Sequence, residues 1–253
     1  MKLFAAMRWK FLLGIFKLRR MVNRLRSTRR LDYTERDIFI TTDTIREYET
    51  RARSVRKEPK TVSWIEQHGG SNAVLYDIGA NIGAYSLIAA VCGTEVVAFE
   101  PAPQNIYKLH ENIICNKLNE RITVVPLMLE AHNGTTRLSM EDRSFGKTYS
   151  FSFKEQLSDA AFRQTFLAMS LDACMATFSL PVPTMVKIDV DGAEIRVLQG
   201  AEALLHNPKL KTILIEVDDD NGEIVTYLTE RGFRLTDEEK SGSRTTNYIF
   251  NRP

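Results

Sequence analysis

An α/β domain with a mostly parallel sheet is what this 253-residue chain predicts, on three observations. Residues 74–101, VLYDIGANIGAYSLIAAVCGTEVVAFEP, read as a buried strand, a glycine-bearing turn, an apolar helix and a second strand closed by an acid. From there to the C-terminus, strand-like and helix-like segments alternate, as they do in doubly wound domains. The strand-like segments are short continuous apolar runs, the pattern of strands buried on both faces. The length suits one large domain with an ample core.

The first 30 residues stand apart. They hold ten Lys/Arg and no acid, which leaves 24 basic and 32 acidic residues in the other 223. The body is therefore mildly acidic, and a nucleic-acid-binding core is not indicated. Phe11, Ile15, Leu18, Val22 and Leu25 recur at spacings of four and three, which predicts a helix with one apolar face ringed by Arg and Lys. Such a helix either lies on an anionic membrane surface or packs against protein. The uncharged run from Phe11 to Phe16 is far short of the roughly 20 residues that a membrane span needs, and no signal-peptide pattern is present. The chain is thus expected to divide into a basic amphipathic segment, 1–30, and a catalytic domain, 31–253. Cys92, Cys115 and Cys174 are odd in number and widely spaced, which predicts reduced thiols in the cytoplasm. The four histidines are scattered, so no metal site is predicted.

Along the body, DIFITT (37–42) predicts a short strand. Glu58-Pro59 opens a helix that runs to about Gln67, with proline in its first turn. Val74–Ile78 is the first core strand and Ala84–Val91 the helix after it. Val96–Phe99 is the second strand, and Pro101–Asn116 a helix with Ile106, Leu109 and Ile113 on one face. ITVVPLML (122–129) predicts a third strand. TTRLSM (135–140) and TYSFSF (148–153) alternate like a hairpin. Thr184–Val190 is the fourth core strand and Ala193–Leu205 a helix. Lys211–Val217 is the fifth strand, Glu223–Glu230 a helix, and the last two strands pair antiparallel around a short charged loop.

The turn has the form Asp-x-Gly-x-Asn-x-Gly, from Asp77 through Gly79 and Asn81 to Gly83. A dinucleotide fold requires Gly-x-Gly-x-x-Gly, with N–H groups aimed at a pyrophosphate. An acid beside the turn repels a pyrophosphate and attracts a cationic group. Gly79 is expected to let the backbone approach a ligand, and Gly83 to let the next helix pack on the strand. Glu100 closes the second strand, where such a unit presents a carboxylate to ribose hydroxyls. This stretch resembles motif I of the class I S-adenosylmethionine methyltransferases. YDIGANIGAYSLIAA, VVAFEPAPQNIYKLHENI, VKIDVDGAEIRVLQGA and LIEV, in that order, are similar to the FkbM family over about residues 57–234.

The resemblance implies a Rossmann-like sheet of seven strands with helices on both faces and an antiparallel C-terminal strand. It implies S-adenosyl-L-methionine as cofactor and O-methylation of a hydroxyl on a sugar, glycolipid, polysaccharide or natural-product acceptor. Cofactor contacts fall on Asp77, Gly79, Ala80, Asn81, Gly83, Glu100, Pro101, Leu129 and Glu130. Two departures stand out. Leu129-Glu130-Ala131 replaces the small residues that usually border the adenine, and Asp191 stands where the family usually has Glu.

A hydroxyl is a poor nucleophile, so a positioned base helps, typically by ~10²–10⁴-fold. Lys187, Asp189 and Asp191 alternate along a strand and its exit, hence share one side. Asp189 is the first candidate base, followed by Glu194 and Asp191, with Lys187 orienting them; the competing reading is a structural Lys187–Asp189 pair. Glu216 is a candidate lining residue of the acceptor pocket, and His132 lies near the adenine segment or is simply exposed. An N-methyltransferase would carry an Asn/Asp-Pro-Pro-Tyr motif, and none occurs. A cofactor-binding but catalytically weak protein that docks to a membrane or partner is the rival from another class.

Overall fold

A computed structural model describes residues 12–15, 27–42, 45–140, 162–190, 192–218, 222–241 and 245–253. Its centre is a seven-stranded sheet. The parallel strands are β3 (Val74–Ile78), β4 (Glu95–Phe99), β5 (Ile122–Val125), β9 (Met185–Ile188) and β10 (Thr212–Asp218). β12 (Thr245–Asn251) runs antiparallel to β10, and β11 (Arg234–Ser241) antiparallel to β12. The spatial order is β11-β12-β10-β9-β3-β4-β5. From β3 the chain winds outward through β4 and β5, then returns to the other side of β3 through β9 and β10. The boundary between β3 and β9 is therefore the point where strand order reverses, the crevice at which open α/β sheets bind ligands.

Alternation along each strand splits the core in two. Leu75, Ala98, Met185 and Leu214 face one side, under α3 (Pro59–His68) and α4 (Ala84–Val91). Tyr76, Ile78, Val97, Val186, Ile188 and Ile215 face the other. That second side is covered by α6 (Leu171–Phe178), α7 (Glu194–Gln199), α8 (Glu202–Leu205) and α9 (Glu223–Glu230). The expected fold class and the antiparallel end of the sheet are both observed.

Ahead of the sheet, β1 (Ser27–Arg30) and β2 (Phe39–Thr42) form an antiparallel ribbon, followed by α1 (Ile45–Arg51) and α2 (Ser54–Lys57). The ribbon docks on α5 (Pro103–Cys115) through two asparagines. Asn112 Oδ1 accepts from Thr41 N at 2.8 Å, and Asn116 Oδ1 accepts from Phe39 N at 2.8 Å. These bonds satisfy a strand edge that would otherwise carry open donors. Residues 12–15 are helical, and Ile15 of the predicted apolar face is 46% exposed. Phe11, Leu18, Val22 and Leu25 lie outside the described residues.

Besides β1, α1, α2 and α6, which the sequence reading does not assign, three elements differ from the sequence expectation. The run 122–129 breaks after Val125, because Pro126 has no N–H to offer a ladder; β6 (Met128–Leu129) leaves the main sheet and joins a three-stranded one. In that sheet β7 (Gly134–Met140) pairs with β8 (Phe162–Met169), a strand the sequence reading did not assign. The predicted partner TYSFSF lies outside the described residues. The helix expected over 193–205 divides at Gly200. There the chain crowds the Glu130 carbonyl so closely that a Cβ would sit 2.2 Å from its oxygen.

Candidate active site

The turn between β3 and α4 is closed upon itself. Gly79 and Ala80 N–H both donate to the Phe99 carbonyl, at 2.9 and 3.0 Å, and Gly83 N–H donates to Ala80 O at 2.8 Å. Asn81 N–H donates to Glu100 Oε2 at 2.8 Å, and Ile82 N–H to the Asn81 side chain at 2.9 Å. Every N–H from 79 to 83 is thus committed within the protein. The arrangement offers no donor set for a pyrophosphate, the group a dinucleotide would need bound here. Gly79, Asn81 and Gly83 hold φ of 84°, 54° and 90°, the left-handed region that glycine and asparagine tolerate.

Both glycines make room for protein neighbours. A Cβ on Gly79 would stand 1.9 Å from the Asp189 carbonyl oxygen, so Gly79 allows the turn to touch the exit of β9. A Cβ on Gly83 would stand 2.3 Å from a Leu109 methyl, so Gly83 makes room for α5 rather than for the strand. Asn112, also on α5, donates to Ile82 O at 2.8 Å and steadies the turn from that side.

Glu100 is buried at the end of β4. Its second oxygen accepts from Ala102 N at 2.8 Å. Burial pushes its carboxyl up to about 7, against the pull of the Ala102 and Asn81 N–H groups.

A row of polar side chains crosses the carboxyl end of the α3/α4 side of the sheet. Asp77 on β3 is the register partner of Lys187 on β9. Asp77 is 1% exposed; its Oδ2 accepts from Ser86 at 2.5 Å, and its Oδ1 has no hydrogen-bond partner among the described residues. Burial raises the pKa of its carboxyl, and the nearby Lys187 cation partly offsets this. Lys187 is 1% exposed. Its Nζ meets Asp189 Oδ2 at 2.8 Å and lies 5.0 Å from the centre of the Tyr85 ring. Burial works against its charge, but Asp189, Asp77 and Glu58 outweigh burial and keep it a cation. Burial likewise opposes ionisation of Asp189, and there Lys187, Arg51 and Lys57 prevail, holding it below the usual carboxylate range. The Asp189 side chain keeps 22% of its surface open.

The row continues to Glu216 on β10. Burial first, then the charges of Asp189 and Glu58, push its carboxyl up to about 8. Its Oε2 is buried with no hydrogen-bond partner among the described residues. The structure brings Lys187 and Asp189 together on one side of the strand and sets Glu216 beside them. The sequence reading missed what surrounds them. Glu58, 2% exposed, accepts from Thr61 at 3.3 Å and pairs with Lys57, while Arg51 and Tyr85 close the cluster from α1 and α4. Glu58 shows in the sequence only as the residue before a helix-opening proline, so no local signal marks it as a site residue.

The other expected residues are more dispersed. Glu194 opens α7, is 6% exposed, and accepts from Gly192 N at 2.8 Å. Asp191 lies outside the described residues. Leu129 is 4% exposed within the second core, and Glu130 pairs with Arg196 of α7 at 3.3 Å while its N–H donates to Met169 O. Pro101 is half-buried beside Glu100, and His132 is exposed.

Known proteins resemble this chain in sequence and in fold. The chain is 26% identical over 206 residues to hexuronic acid methyltransferase AglP of Haloferax volcanii, covering 80% of each chain. It is 26% identical over 196 residues to 31-O-demethyl-FK506 methyltransferase FkbM of Streptomyces tacrolimicus, covering 66% of this chain and 74% of that one. The METTL16 methyltransferase domain shares the fold, with a TM-score of 0.53 at 16% identity over 84% of this chain and 73% of that one. The model of the methyltransferase FkbM domain matches residues 77–235, well over half the chain, from the acid of the glycine turn to the first residues of β11. This chain belongs to the FkbM family of S-adenosylmethionine-dependent methyltransferases.

Proposed function

We propose that the chain transfers the methyl group of S-adenosylmethionine to a hydroxyl of a sugar, glycolipid, polysaccharide or natural-product acceptor. The observation that carries this is Asp189: an ionised, partly open carboxylate at the β3/β9 switch point, whose own carbonyl touches the glycine turn. The turn suits a phosphate-free ligand, because its N–H groups are all taken. Glu100 would hold the ribose: its two oxygens accept from the Asn81 and Ala102 N–H groups and from the Asn105 side chain, which leaves acceptor capacity for a hydroxyl. Asp77, Ala80, Asn81, Gly83 and Pro101 would complete the cofactor wall, with Leu129 and Glu130 at the adenine end.

The bound cofactor supplies an electrophilic methyl on a sulfonium, given up in an in-line displacement. The chain aligns the acceptor oxygen with it, and such positioning can be worth roughly 7–11 kcal/mol. Asp189 would accept the proton of the acceptor hydroxyl as its oxygen takes the methyl group. Lys187 keeps Asp189 ionised and oriented, and Glu194 fixes the loop that follows. Titration calorimetry tests the cofactor half: S-adenosylmethionine and its demethylated product bind and NAD does not. Glu100→Ala weakens binding by about 1.5–3 kcal/mol, the range for hydrogen bonds to a charged group. Tight NAD binding, or an indifferent Glu100→Ala, refutes it.

We also propose that residues 1–30 hold the protein on the inner, anionic face of a membrane. Their ten cations without an acid support this, each worth roughly 1 kcal/mol near such a surface. Deleting residues 1–26, which spares strand β1, is expected to abolish binding to anionic liposomes and leave cofactor affinity intact. Unchanged liposome binding by the truncated protein would refute the idea.

A further inference from the structure

The polar row does not stop at Glu216. In the antiparallel register Glu216 faces Asn247 of β12, and Asn247 faces Glu239 of β11 on its other side. Facing residues of antiparallel neighbours project to the same side, with Cβ atoms roughly 4.5–5.5 Å apart. That side is the one bearing Leu214 and Ile249, the side covered by α3 and α4. Asn247 is 3% exposed, yet neither end of its amide has a hydrogen-bond partner among the described residues. Turning the amide over changes nothing, because both ends are open. Glu216 Oε2 and Glu239 Oε2 are buried and open in the same way.

Folded proteins satisfy nearly all buried polar atoms, and exceptions gather where a ligand or a water completes the set. Here four open atoms lie side by side on three adjacent strands. They adjoin the carboxylate that the methyltransferase reading uses as its base.

We infer that Glu216, Asn247 and Glu239 form the recognition subsite for the methyl acceptor, and that it takes an uncharged polyhydroxylated group, such as neighbouring hydroxyls of a neutral sugar ring, in preference to one bearing a carboxylate. The inference rests on the methyltransferase reading above. The amide of Asn247 offers one acceptor and two donors, so it serves a hydroxyl proton and a neighbouring hydroxyl oxygen together. The flanking carboxyls accept further hydroxyl protons. Selection against an anion follows from charge: Lys187 and Lys57 are already paired with Asp189 and Glu58, and the Glu216, Asn247 and Glu239 row itself carries carboxyls and no cation. A uronate would add like charge to that row. This sets the acceptor apart from the hexuronic acid named for the Haloferax volcanii relative.

Methyl β-D-glucopyranoside and methyl β-D-glucopyranosiduronate serve as paired probes, with tritium transfer from labelled S-adenosylmethionine at neutral pH and cofactor binding followed by calorimetry. The neutral glycoside is expected to show a kcat/KM at least about tenfold higher, a factor of ten in discrimination. Asn247→Leu is expected to lower that kcat/KM roughly tenfold or more, while cofactor affinity holds and the melting temperature stays level or rises. A structural asparagine would instead lower the melting temperature. The proposal is overturned by equal or better turnover of the uronate, by no methylation of either glycoside from an enzyme that binds cofactor, or by unchanged kcat/KM in Asn247→Leu. An enzyme that binds no cofactor at all would refute the methyltransferase reading instead.

Discussion

The two sides of the sheet could hardly differ more at the carboxyl ends of its central parallel strands. On the side of α6 to α9, Ile78, Ile188, Ile215 and Val217 are buried and apolar. One residue along, on the side of α3 and α4, stand buried Asp77, Lys187 and Asn247 and half-buried Glu216, all charged or polar. Burial alone does not distinguish the sides; the presence of compensation does. The apolar side is held by packing. The polar side is held by cations set among acids, with Lys187 shared by several of them, and some of its buried atoms have no hydrogen-bond partner among the described residues. Strand parity thus separates the part of the sheet that builds the domain from the part available for chemistry.

Removing the shared cation should break the contrast most sharply. Lys187→Met is expected to cost about 3–5 kcal/mol, the range for breaking a buried pair and leaving its partner charge uncompensated. Chemical denaturation measures this, and a variant as stable as the parent would show that the acids need no cation. Next comes the base. Asp189→Asn is expected to lower methyl transfer by at least roughly 10²-fold while cofactor affinity holds. Its neighbour Ile188→Val, pointing to the other side, should cost about 0.5–1.5 kcal/mol of stability and leave turnover nearly intact. Equal losses of turnover in both variants would mean that parity does not divide the roles.

The smallest effect is in pH. Glu100 and Glu216 have folded-state values near 7 and 8, against about 4.3 for an unfolded glutamate. The folded protein therefore holds these protons more tightly than the unfolded chain. Their contribution is full below about pH 4.3 and is lost as pH rises through about 7 and 8. The melting temperature should fall across that window, and Glu216→Gln should flatten the upper part of the slope. A melting temperature that rises over the same range would contradict the burial of these carboxyls.

What could be read beforehand was what local chemistry determines. The Asp77–Gly83 turn announces itself because only glycine and asparagine accept its backbone angles, and the alternation of Lys187 with Asp189 fixes their common side. Proline placed the start of α3, though it also cut the run 122–129 that had read as one strand. What could not be read depends on partners distant in sequence. Nothing near Gly79 says that its missing side chain accommodates Asp189 O, and nothing near Gly200 says that the Glu130 carbonyl will split a helix there. Glu58, Arg51 and Asn247 enter the site from a helix boundary, a short helix and the antiparallel end of the sheet. Their own surroundings in sequence are ordinary. β8 follows a segment of mixed composition and finds its strand character in its pairing with β7.

The contact between Gly79 and the carbonyl of Asp189 also bears on the order of assembly. The two residues sit in opposite halves of the doubly wound sheet, and contacts so distant in sequence form only after the entropy of closing a long loop has been overcome. Neither half alone contains both the turn and the carboxylate. The β3–β4–β5 half can fold its strands and helices and still lack the wall against which its turn rests. Competence to bind and react should therefore emerge late during synthesis and refolding, once β9 has slid in beside β3. A recovering activity would then report the finished sheet rather than its first half.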